Sequence, residues 1–304
     1  MLIADWVAAH SGRYWLAGVV LLAFAAAACG GDEPTAASDG EGVLGEYVWS
    51  GGLQRTYVLH LPPSYDQGEP APLLILFHGS QEDGSNFQGR IEMDGPADDL
   101  GFITVYPDGY ASSWSNQDFS FTTTLIEQLQ DGLAIDENRI YIAGHSKGAE
   151  LTIALACLLA SDLAGAAVVS ATMSEENAQA CQPARPFPIL FVHGTEDQFY
   201  FWSGETGYLS MNQTVATWVT ANDCVGDPAV ETLPDLVNDS TLVQSRTYTD
   251  CAGGAEVMLY AIQGGGHRWP GVPGAPSDVL GHISMEISSV EILEFLARHR
   301  RVGG

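Results

Sequence analysis

Ile140-Tyr-Ile-Ala-Gly-His-Ser-Lys-Gly-Ala-Glu150 places a Gly-x-Ser-x-Gly pattern between a strand-forming run and a helix-forming run. β-branched and aromatic residues precede Gly144, and the apolar stretch 151–160 follows the second glycine. This context predicts a sharp strand-to-helix turn, in which the glycines allow close backbone approach and Ser146 lies at the apex. Lys147, the only lysine in the chain, follows directly. We therefore interpret Ser146 as a candidate nucleophile.

The composition limits the classes of partner. The chain has 304 residues, with 38 acidic and 11 basic side chains and a formal net charge of −27. Such a surface repels nucleic acid and anionic lipid headgroups, so we expect neither as a partner. The apolar content of 46% is ordinary for a globular protein and is sufficient for the core of one large α/β domain.

The first 29 residues predict a secretory signal. Arg13 precedes the apolar run 14–28, which is shorter than the ~20 residues of a spanning helix and ends in alanines. Cys29 follows these alanines as in a bacterial lipobox and is the predicted lipidation site. The alternatives are cleavage nearby without lipidation and an uncleaved apolar anchor. Residues 30–42 are small and acidic and predict a flexible tether, and 43–304 predict a single domain. We expect membrane association only through the lipid.

The other four cysteines predict a disulfide framework, because disulfides persist in exported proteins. They are Cys157, Cys181, Cys224 and Cys251. Four cysteines allow three connectivities, and the pairing that is most local in sequence joins Cys157 to Cys181 and Cys224 to Cys251. Free buried thiols are the alternative. The spacing does not fit a zinc site.

Apolar runs that alternate with helical stretches determine the predicted fold class. We predict strands at 55–61, 72–77, 102–107, 140–143, 164–170, 188–192, 241–248 and 256–262. We predict helices at 121–133, 151–160, 207–221 and 284–298, with a surface loop at 108–120. This alternation predicts an α/β fold with a mostly parallel central sheet and helices on both faces.

Three candidate residues each follow the C-terminal end of a predicted strand, in the chain order Ser146, Asp197, His267. The carboxyl ends of parallel strands share one edge of a sheet, where ligands bind, so loops distant in sequence can meet there. Ser, then Asp, then His is the order found in α/β-hydrolases. We therefore predict that these residues form one site.

Each candidate has a defined chemical role. A serine hydroxyl is a weak nucleophile until a base removes its proton, and His267 is suited to that role because histidine titrates near neutrality. Asp197 would accept a hydrogen bond from the other ring nitrogen and stabilise the imidazolium. The backbone amides of Lys147 and Ser80 are the predicted oxyanion donors.

Other residues compete for these roles. His282 is a rival base, and Glu196 and Asp235 are rival acids. A Ser–Lys dyad is disfavoured because neighbouring residues at a sharp turn point in different directions, so Lys147 is instead expected to be solvated. Two further histidines precede glycine at strand ends and are expected to bond the backbone there, His78 and His193.

Four aromatic residues fall in loops at the predicted active edge and are candidates for an acyl-binding cleft. They are Trp114, Tyr200, Trp202 and Trp269. The alternative for each is that it only fills space beneath a loop.

Five segments together resemble the secreted polyhydroxybutyrate depolymerase and feruloyl esterase family within carbohydrate esterase family one. They are 55–63, 76–80, 139–148, 193–197 and the most specific, Gly264-Gly-Gly-His-Arg-Trp-Pro-Gly271. The resemblance covers approximately residues 45–300. It implies an α/β-hydrolase fold, the triad Ser146, Asp197 and His267, an ester substrate and no cofactor. The cysteine pairs proposed above also lie where such esterases often have them.

The chain departs from the family pattern at Lys147, at Phe199-Tyr-Phe-Trp202 and at Gln117-Asp118. We expect an exported serine esterase similar to the hydroxybutyrate depolymerases. A feruloyl or acetyl xylan esterase, and a non-catalytic binding protein on the same scaffold, are the alternatives. We further hypothesise that the charge of Lys147 favours anionic esters.

Overall fold

The computed structural model describes residues 43–272, 274 and 279–301. The predicted signal segment, Cys29 and the tether lie outside these residues. Within the described part of the chain, no helix has both the length and the apolar character needed to cross a bilayer.

A ten-stranded sheet forms the centre of the described structure. The strands are β1 (Val43–Ser50), β2 (Leu53–His60), β3 (Ala71–Phe77), β4 (Ile103–Pro107), β5 (Ile135–His145), β6 (Gly165–Val169), β7 (Ile189–Gly194), β8 (Ala229–Thr232), β9 (Leu242–Tyr248) and β10 (Val257–Gln263). Their spatial order is β1-β2-β4-β3-β5-β6-β7-β10-β9-β8. The six strands from β4 to β10 in this order are parallel, and the outer pairs are antiparallel. The predicted α/β-hydrolase fold is confirmed.

Helices cover both faces of this sheet. Those in the described residues are α1 (Gly84–Ile91), α2 (Asp94–Leu100), α3 (Gln117–Gly132), α4 (Lys147–Leu158), α5 (Glu175–Ala180), α6 (Met211–Ala221) and α7 (Ser289–Ala297), with short 3₁₀ turns at Tyr110–Ser112 and Ala252–Gly254. One apolar cluster includes side chains of α3, α4 and α6, and a second includes side chains of α1 and α7. The central strands are buried on both faces, which explains their continuous apolar runs.

Capping residues explain where several helices differ from the sequence prediction. α6 begins at Met211 rather than near 207, because Ser210 and Gln213 form a reciprocal capping box. α7 begins at Ser289 rather than 284 for the same reason, with Ser288 as the cap. α3 begins four residues earlier than predicted, where the Asp118 carboxylate accepts from the Ser115 amide.

Two disulfides connect segments that are near in sequence. Cys157 on α4 is bonded to Cys181 at the end of α5, and Cys224 is bonded to Cys251, which precedes the second 3₁₀ turn. The local pairing is therefore present in the structure, and it excludes free thiols at these positions. The first disulfide attaches the helix that follows Ser146 to the segment after β6.

Candidate active site

Ser146 occupies a strained turn between β5 and α4. Its φ is 55° and its ψ is −119°, a conformation that is unfavourable for a residue with a side chain. A Cβ atom on Gly144 would lie 2.4 Å from the Gly148 carbonyl oxygen, and one on Gly148 would lie 2.2 Å from the Phe77 oxygen. Side chains at these two positions would therefore force the turn apart, as the motif predicts.

The predicted acid and base meet at the same sheet edge. His267 Nδ1 is 2.8 Å from Asp197 Oδ2, and both side chains are almost completely buried. Asp197 Oδ1 accepts from the amides of Phe199 and Tyr200, at 2.8 and 3.0 Å. Burial alone would raise the pKa of Asp197, but the hydrogen bond from His267 and the charges of His267 and His193 lower it below its ordinary value. The Asp197 carboxylate is therefore ionised.

The loops after β7 and β10 are joined by two hydrogen bonds. The Glu196 amide donates to the Gly265 carbonyl at 2.9 Å, and the Gly264 amide donates to Thr195 Oγ1 at 3.0 Å. The ring of His267 lies 5.1 Å from that of His145, the residue before Ser146. The structure thus brings His267 to the loop that carries Ser146.

The rival residues do not take part in the contact between Asp197 and His267. Glu196 and Asp235 are exposed, and Asp235 belongs to the loop between β8 and β9. His282 lies beside the loop that carries His267, where its carbonyl accepts from the Gly266 amide. Asp197 is the carboxylate that contacts His267.

Two histidines bond the backbone, as the sequence predicts. His78 Nδ1 is 2.6 Å from the Gly79 carbonyl, and its Nε2 accepts from the Gly109 amide at 2.9 Å. Burial lowers the pKa of His78 and keeps it neutral. His193 Nε2 is 2.8 Å from the Tyr200 carbonyl and therefore fixes the loop after β7.

The loop after β3, which contains Ser80, packs directly against Ser146. A Cβ atom on Gly79 would lie 3.5 Å from Ser146 Cβ. The Gly79 amide donates to Glu82, whose carboxylate forms two hydrogen bonds with Arg90, at 2.8 and 2.9 Å. The sequence prediction missed this Glu82–Arg90 pair, since two opposite charges eight residues apart form no motif.

His145 is a buried histidine without charge. Burial lowers its pKa well below the ordinary value, and the nearby positive charges of His267, Arg90 and Arg268 lower it further. A neutral ring beside His267 adds no charge to the environment in which His267 would gain a proton.

Two of the four predicted cleft aromatics lie close to the site. The Trp114 indole donates to the His78 carbonyl at 2.7 Å and lines a cavity next to Lys147. The Tyr200 ring is stacked on His267, with ring centres 6.0 Å apart and planes inclined by 17°. Trp202 is half-buried, and its ring lies 6.1 Å from that of His193.

Trp269 requires a correction, because the structure places it in the core. Its side chain is 0% exposed, its ring lies edge-on to Phe87 at 5.6 Å, and its indole donates to Ser289 Oγ at 2.9 Å. The chain after His267 turns back beneath α7, so the indole cannot contact a substrate. Its position two residues after His267 in the sequence did not reveal that the side chain faces the core.

A cavity of about 570 Å³ opens beside Lys147 at the start of α4. This volume is within the range of approximately 300–1,000 Å³ that is typical of small-molecule sites. Its apolar wall consists of Trp114, Phe119, Leu151 and Ala154. The cavity can therefore hold a flat apolar group beside Lys147.

The cavity lining also includes Glu150, which is the centre of a hydrogen-bond network. Glu150 Oε2 lies 2.9 Å from Lys147 Nζ and accepts from the hydroxyls of Tyr200, at 2.9 Å, and Tyr208, at 3.3 Å. Burial and then Glu150 raise the pKa of Tyr208 to about 12, and the same causes raise the pKa of Tyr200, so both remain donors. Glu150 was not predicted, although its spacing of three residues from Lys147 on a helix is a signal for such a pair.

The charge of this cavity is negative. Glu150, Glu175 and Glu176 line it together with Lys147, whose ammonium is paired with the first of them. The interpretation of Lys147 as a simply solvated cation is therefore wrong. The hypothesis that it attracts anionic esters is also not supported, because three carboxylates outweigh one ammonium.

Within the described residues, no group of three or more His, Cys, Asp or Glu side chains is arranged to hold a metal ion.

Comparisons with known proteins agree with this architecture. A model of the phospholipase/carboxylesterase family matches residues 111–203. Feruloyl esterase D of Neurospora crassa is 31% identical over 232 residues, which cover 71% of this chain and 75% of that protein. Feruloyl esterase B of Piromyces equi is 27% identical over 235 residues, and the match covers 70% of this chain but 42% of that longer protein. An acetyl xylan esterase from Aspergillus awamori has the same fold, with a TM-score of 0.58 at 12% identity over 80% of this chain and 94% of that one.

Proposed function

Because the chain belongs to the feruloyl esterase family of α/β-hydrolases, we propose that it hydrolyses carboxylic esters of hydroxycinnamic acids with Ser146 as the nucleophile. The observation that carries this proposal is the buried Asp197–His267 pair, 2.8 Å apart, at the sheet edge where Ser146 occupies its strained turn.

Acylation begins with proton transfer from Ser146 Oγ to His267 Nε2, while Oγ attacks the ester carbonyl carbon. His267 Nδ1 is hydrogen-bonded to Asp197, so Nε2 is the nitrogen that accepts the serine proton. The ionised Asp197 stabilises the imidazolium that forms. His267 then gives its proton to the alcohol oxygen as the C–O bond breaks, and the acyl group remains on Ser146.

The negative oxygen of each tetrahedral intermediate requires backbone donors. The Lys147 amide at the start of α4 and the Ser80 amide in the loop against Ser146 are the proposed donors. In deacylation, water gives a proton to His267 and attacks the acyl carbon. His267 then returns the proton to Ser146 Oγ, which releases the acid.

The cavity beside Lys147 favours a hydroxycinnamate over a hydroxybutyrate. Its apolar wall of Trp114, Phe119 and Leu151 is suited to a flat aromatic acyl group, and its carboxylates can accept from a phenol hydroxyl. The reported relatives are named as feruloyl and acetyl xylan esterases, which gives the same preference. The expectation of a hydroxybutyrate depolymerase thus becomes the less favoured alternative.

We also propose that the protein is exported. The two disulfides fit an oxidising compartment. Lipid attachment at Cys29 is part of the same proposal and would be tested by mass spectrometry of the mature N-terminus.

The decisive experiment measures hydrolysis of methyl ferulate, a hydroxybutyrate oligomer and acetylated xylan by the wild type and by Ser146→Ala. We expect methyl ferulate to be the preferred substrate and its turnover to fall at least 10³-fold in the variant. Ser120→Ala, at an exposed serine of α3, is the matched control. A fluorophosphonate probe should label the wild type and not Ser146→Ala. A folded wild type that neither reacts with the probe nor cleaves any ester would instead be a binding protein.

A further inference from the structure

The backbone is strained next to Ser80, whose amide is a proposed oxyanion donor. Gln81, the following residue, has a φ of 64°, in the left-handed region that residues with a side chain rarely adopt. Such a conformation persists only where the surrounding structure holds it in place. The contacts of residues 79–82, which we call the 79–82 loop, therefore decide where the Ser80 amide lies.

Two sets of contacts hold the 79–82 loop. The Gln81 amide donates to the Ser112 carbonyl at 2.8 Å. The Gly79 amide donates to Glu82 Oε2 at 3.4 Å, and the Glu82 carboxylate accepts two hydrogen bonds from Arg90, at 2.8 and 2.9 Å. A bidentate pair of this kind fixes the orientation of a carboxylate as well as its position. Arg90 therefore determines the side of the loop that the Ser112 contact leaves open.

Arg90 is a fixed point because α1, which carries it, is anchored on the sheet. A Cβ atom on Gly84, the first residue of α1, would lie 2.1 Å from the Tyr106 carbonyl oxygen, so the helix packs directly on β4. The Gly84 amide also donates to Asp108 Oδ1 at 2.8 Å. In the last turn, the Arg90 guanidinium lies 5.1 Å from the ring centre of Phe87, which is fully buried.

Arg90 also reaches the turn that carries the nucleophile. Its Nη2 lies 3.5 Å from Nδ1 of His145, the residue before Ser146. Arginine can only donate, so this ring nitrogen is the acceptor. One guanidinium therefore contacts both segments that supply the proposed oxyanion donors, the loop with Ser80 and the turn with Lys147.

We propose that Glu82 and Arg90 are positioning residues that set the place of the Ser80 amide relative to the Lys147 amide. This inference rests on the proposed function, because both amides are proposed donors there. The pair acts through the backbone of the 79–82 loop and does not touch the ester. Donors must lie about 2.7–3.1 Å from the position of the oxyanion, so a small displacement of the loop weakens the tetrahedral intermediate more than the bound ester.

The kinetic test uses Arg90→Met, Glu82→Met and the double variant. We expect kcat for methyl ferulate to fall about 10- to 100-fold in each single variant, with KM changed less than about twofold. The double variant should lose no more than the worse single variant, because the two residues act as one unit. Losses of kcat that multiply in the double variant, or a loss that resides in KM, would overturn the inference.

Arg139→Met is the matched control. The Arg139–Asp136 pair has an N–O distance of 2.7 Å and side chains 31% and 14% exposed, against 2.8 Å, 35% and 17% for Arg90 and Glu82. It lies in the half of β5 that is distant from Ser146. Thermal unfolding should change to a similar degree in Arg139→Met and Arg90→Met, while kcat falls only in the second. An equal loss of kcat in both would reduce the role of Arg90 to general stability.

Hydrogen exchange of the Gln81 amide, followed by NMR, tests the loop without hydrolysis. Exchange should be about tenfold faster in Arg90→Met and Glu82→Met than in the wild type, and unchanged in Arg139→Met. Arg90→Lys keeps the charge but not the bidentate geometry, so it should fold and show a smaller increase. Unchanged exchange in all three variants of the Glu82–Arg90 pair would overturn the inference, even with a lowered kcat. A wild type that cleaves no ester would refute the proposed function, whereas faster exchange in that protein would still show that the pair holds the loop.

Discussion

Two side-chain pairs lie near Ser146, and their contact distances are nearly the same. Asp197 and His267 are 2.8 Å apart, and Lys147 and Glu150 are 2.9 Å apart. The side chains of the first pair are 0% and 6% exposed, whereas those of the second are 34% and 17% exposed. Water and salt screen the second pair much more effectively, so equal distances do not mean equal energies.

The two pairs therefore have different roles. The buried pair can fix a tautomer and stabilise one charge state, as proton transfer requires. The half-exposed pair belongs to the lining of the cavity beside Lys147. Tyr200 connects them, since its ring is stacked on His267 and its hydroxyl donates to Glu150.

The largest expected effect is at the buried pair. Asp197→Asn should lower kcat for methyl ferulate by about 10³–10⁴-fold, because an amide cannot stabilise the imidazolium and favours the wrong tautomer. Glu196→Gln, at the exposed neighbour, is the matched control and should retain activity within about twofold. A loss below tenfold in Asp197→Asn would show that Asp197 is not the acid partner.

Removing the Tyr200 hydroxyl, which connects the two pairs, should have an intermediate effect on kcat. Tyr200→Phe keeps the ring on His267 but removes the hydrogen bond to the Glu150 carboxylate, and bonds to charged groups contribute about 1.5–3 kcal/mol. We expect kcat for methyl ferulate to fall by roughly three- to tenfold with KM little changed. Tyr208→Phe removes a bond to the same oxygen without touching His267 and should alter kcat less. Equal losses of kcat would mean that the ring contact is unimportant.

A smaller effect is expected at the half-exposed pair of Lys147 and Glu150. Lys147→Met should change the ratio of kcat/KM for carboxylated and neutral aryl esters by less than about fivefold, because exposed ion pairs contribute about 1 kcal/mol or less. A tenfold loss of preference for the carboxylated ester would restore the hypothesis that Lys147 attracts anions. Steady-state kinetics on a matched pair of esters measures this ratio.

The smallest expected effect is that of pH on the ionisation of Asp197. The pKa of Asp197 in the folded protein lies below its ordinary value of 3.8, because the interactions with His267 outweigh burial. A lowered folded pKa means that the stability contributed by Asp197 is complete above the unfolded pKa and is lost only as pH falls through the folded pKa. Between pH 8 and 5 we therefore expect no titration of this carboxyl in ¹³C NMR spectra. A midpoint above 3.8 would mean that burial dominates.

The sequence was informative wherever local chemistry limits the backbone. The Gly-x-Ser-x-Gly turn follows from steric contacts among a few neighbouring residues, so Ser146 could be placed before any fold was known. The short helices α1 and α5 were missed because one or two turns carry too little periodicity. β8 was missed because all four of its residues are exposed and no alternation marks it.

The order of Ser146, Asp197 and His267 after apolar strands was determined by the sequence alone, because parallel strands bring their carboxyl ends to one edge. The tertiary structure decided which side chains reach that edge. Trp269 lies two residues after His267 and is buried in the core, while Glu150 and Tyr200, distant in sequence, share a hydrogen bond beside the cleft. The direction of a side chain depends on packing between elements, and no local pattern encodes that packing.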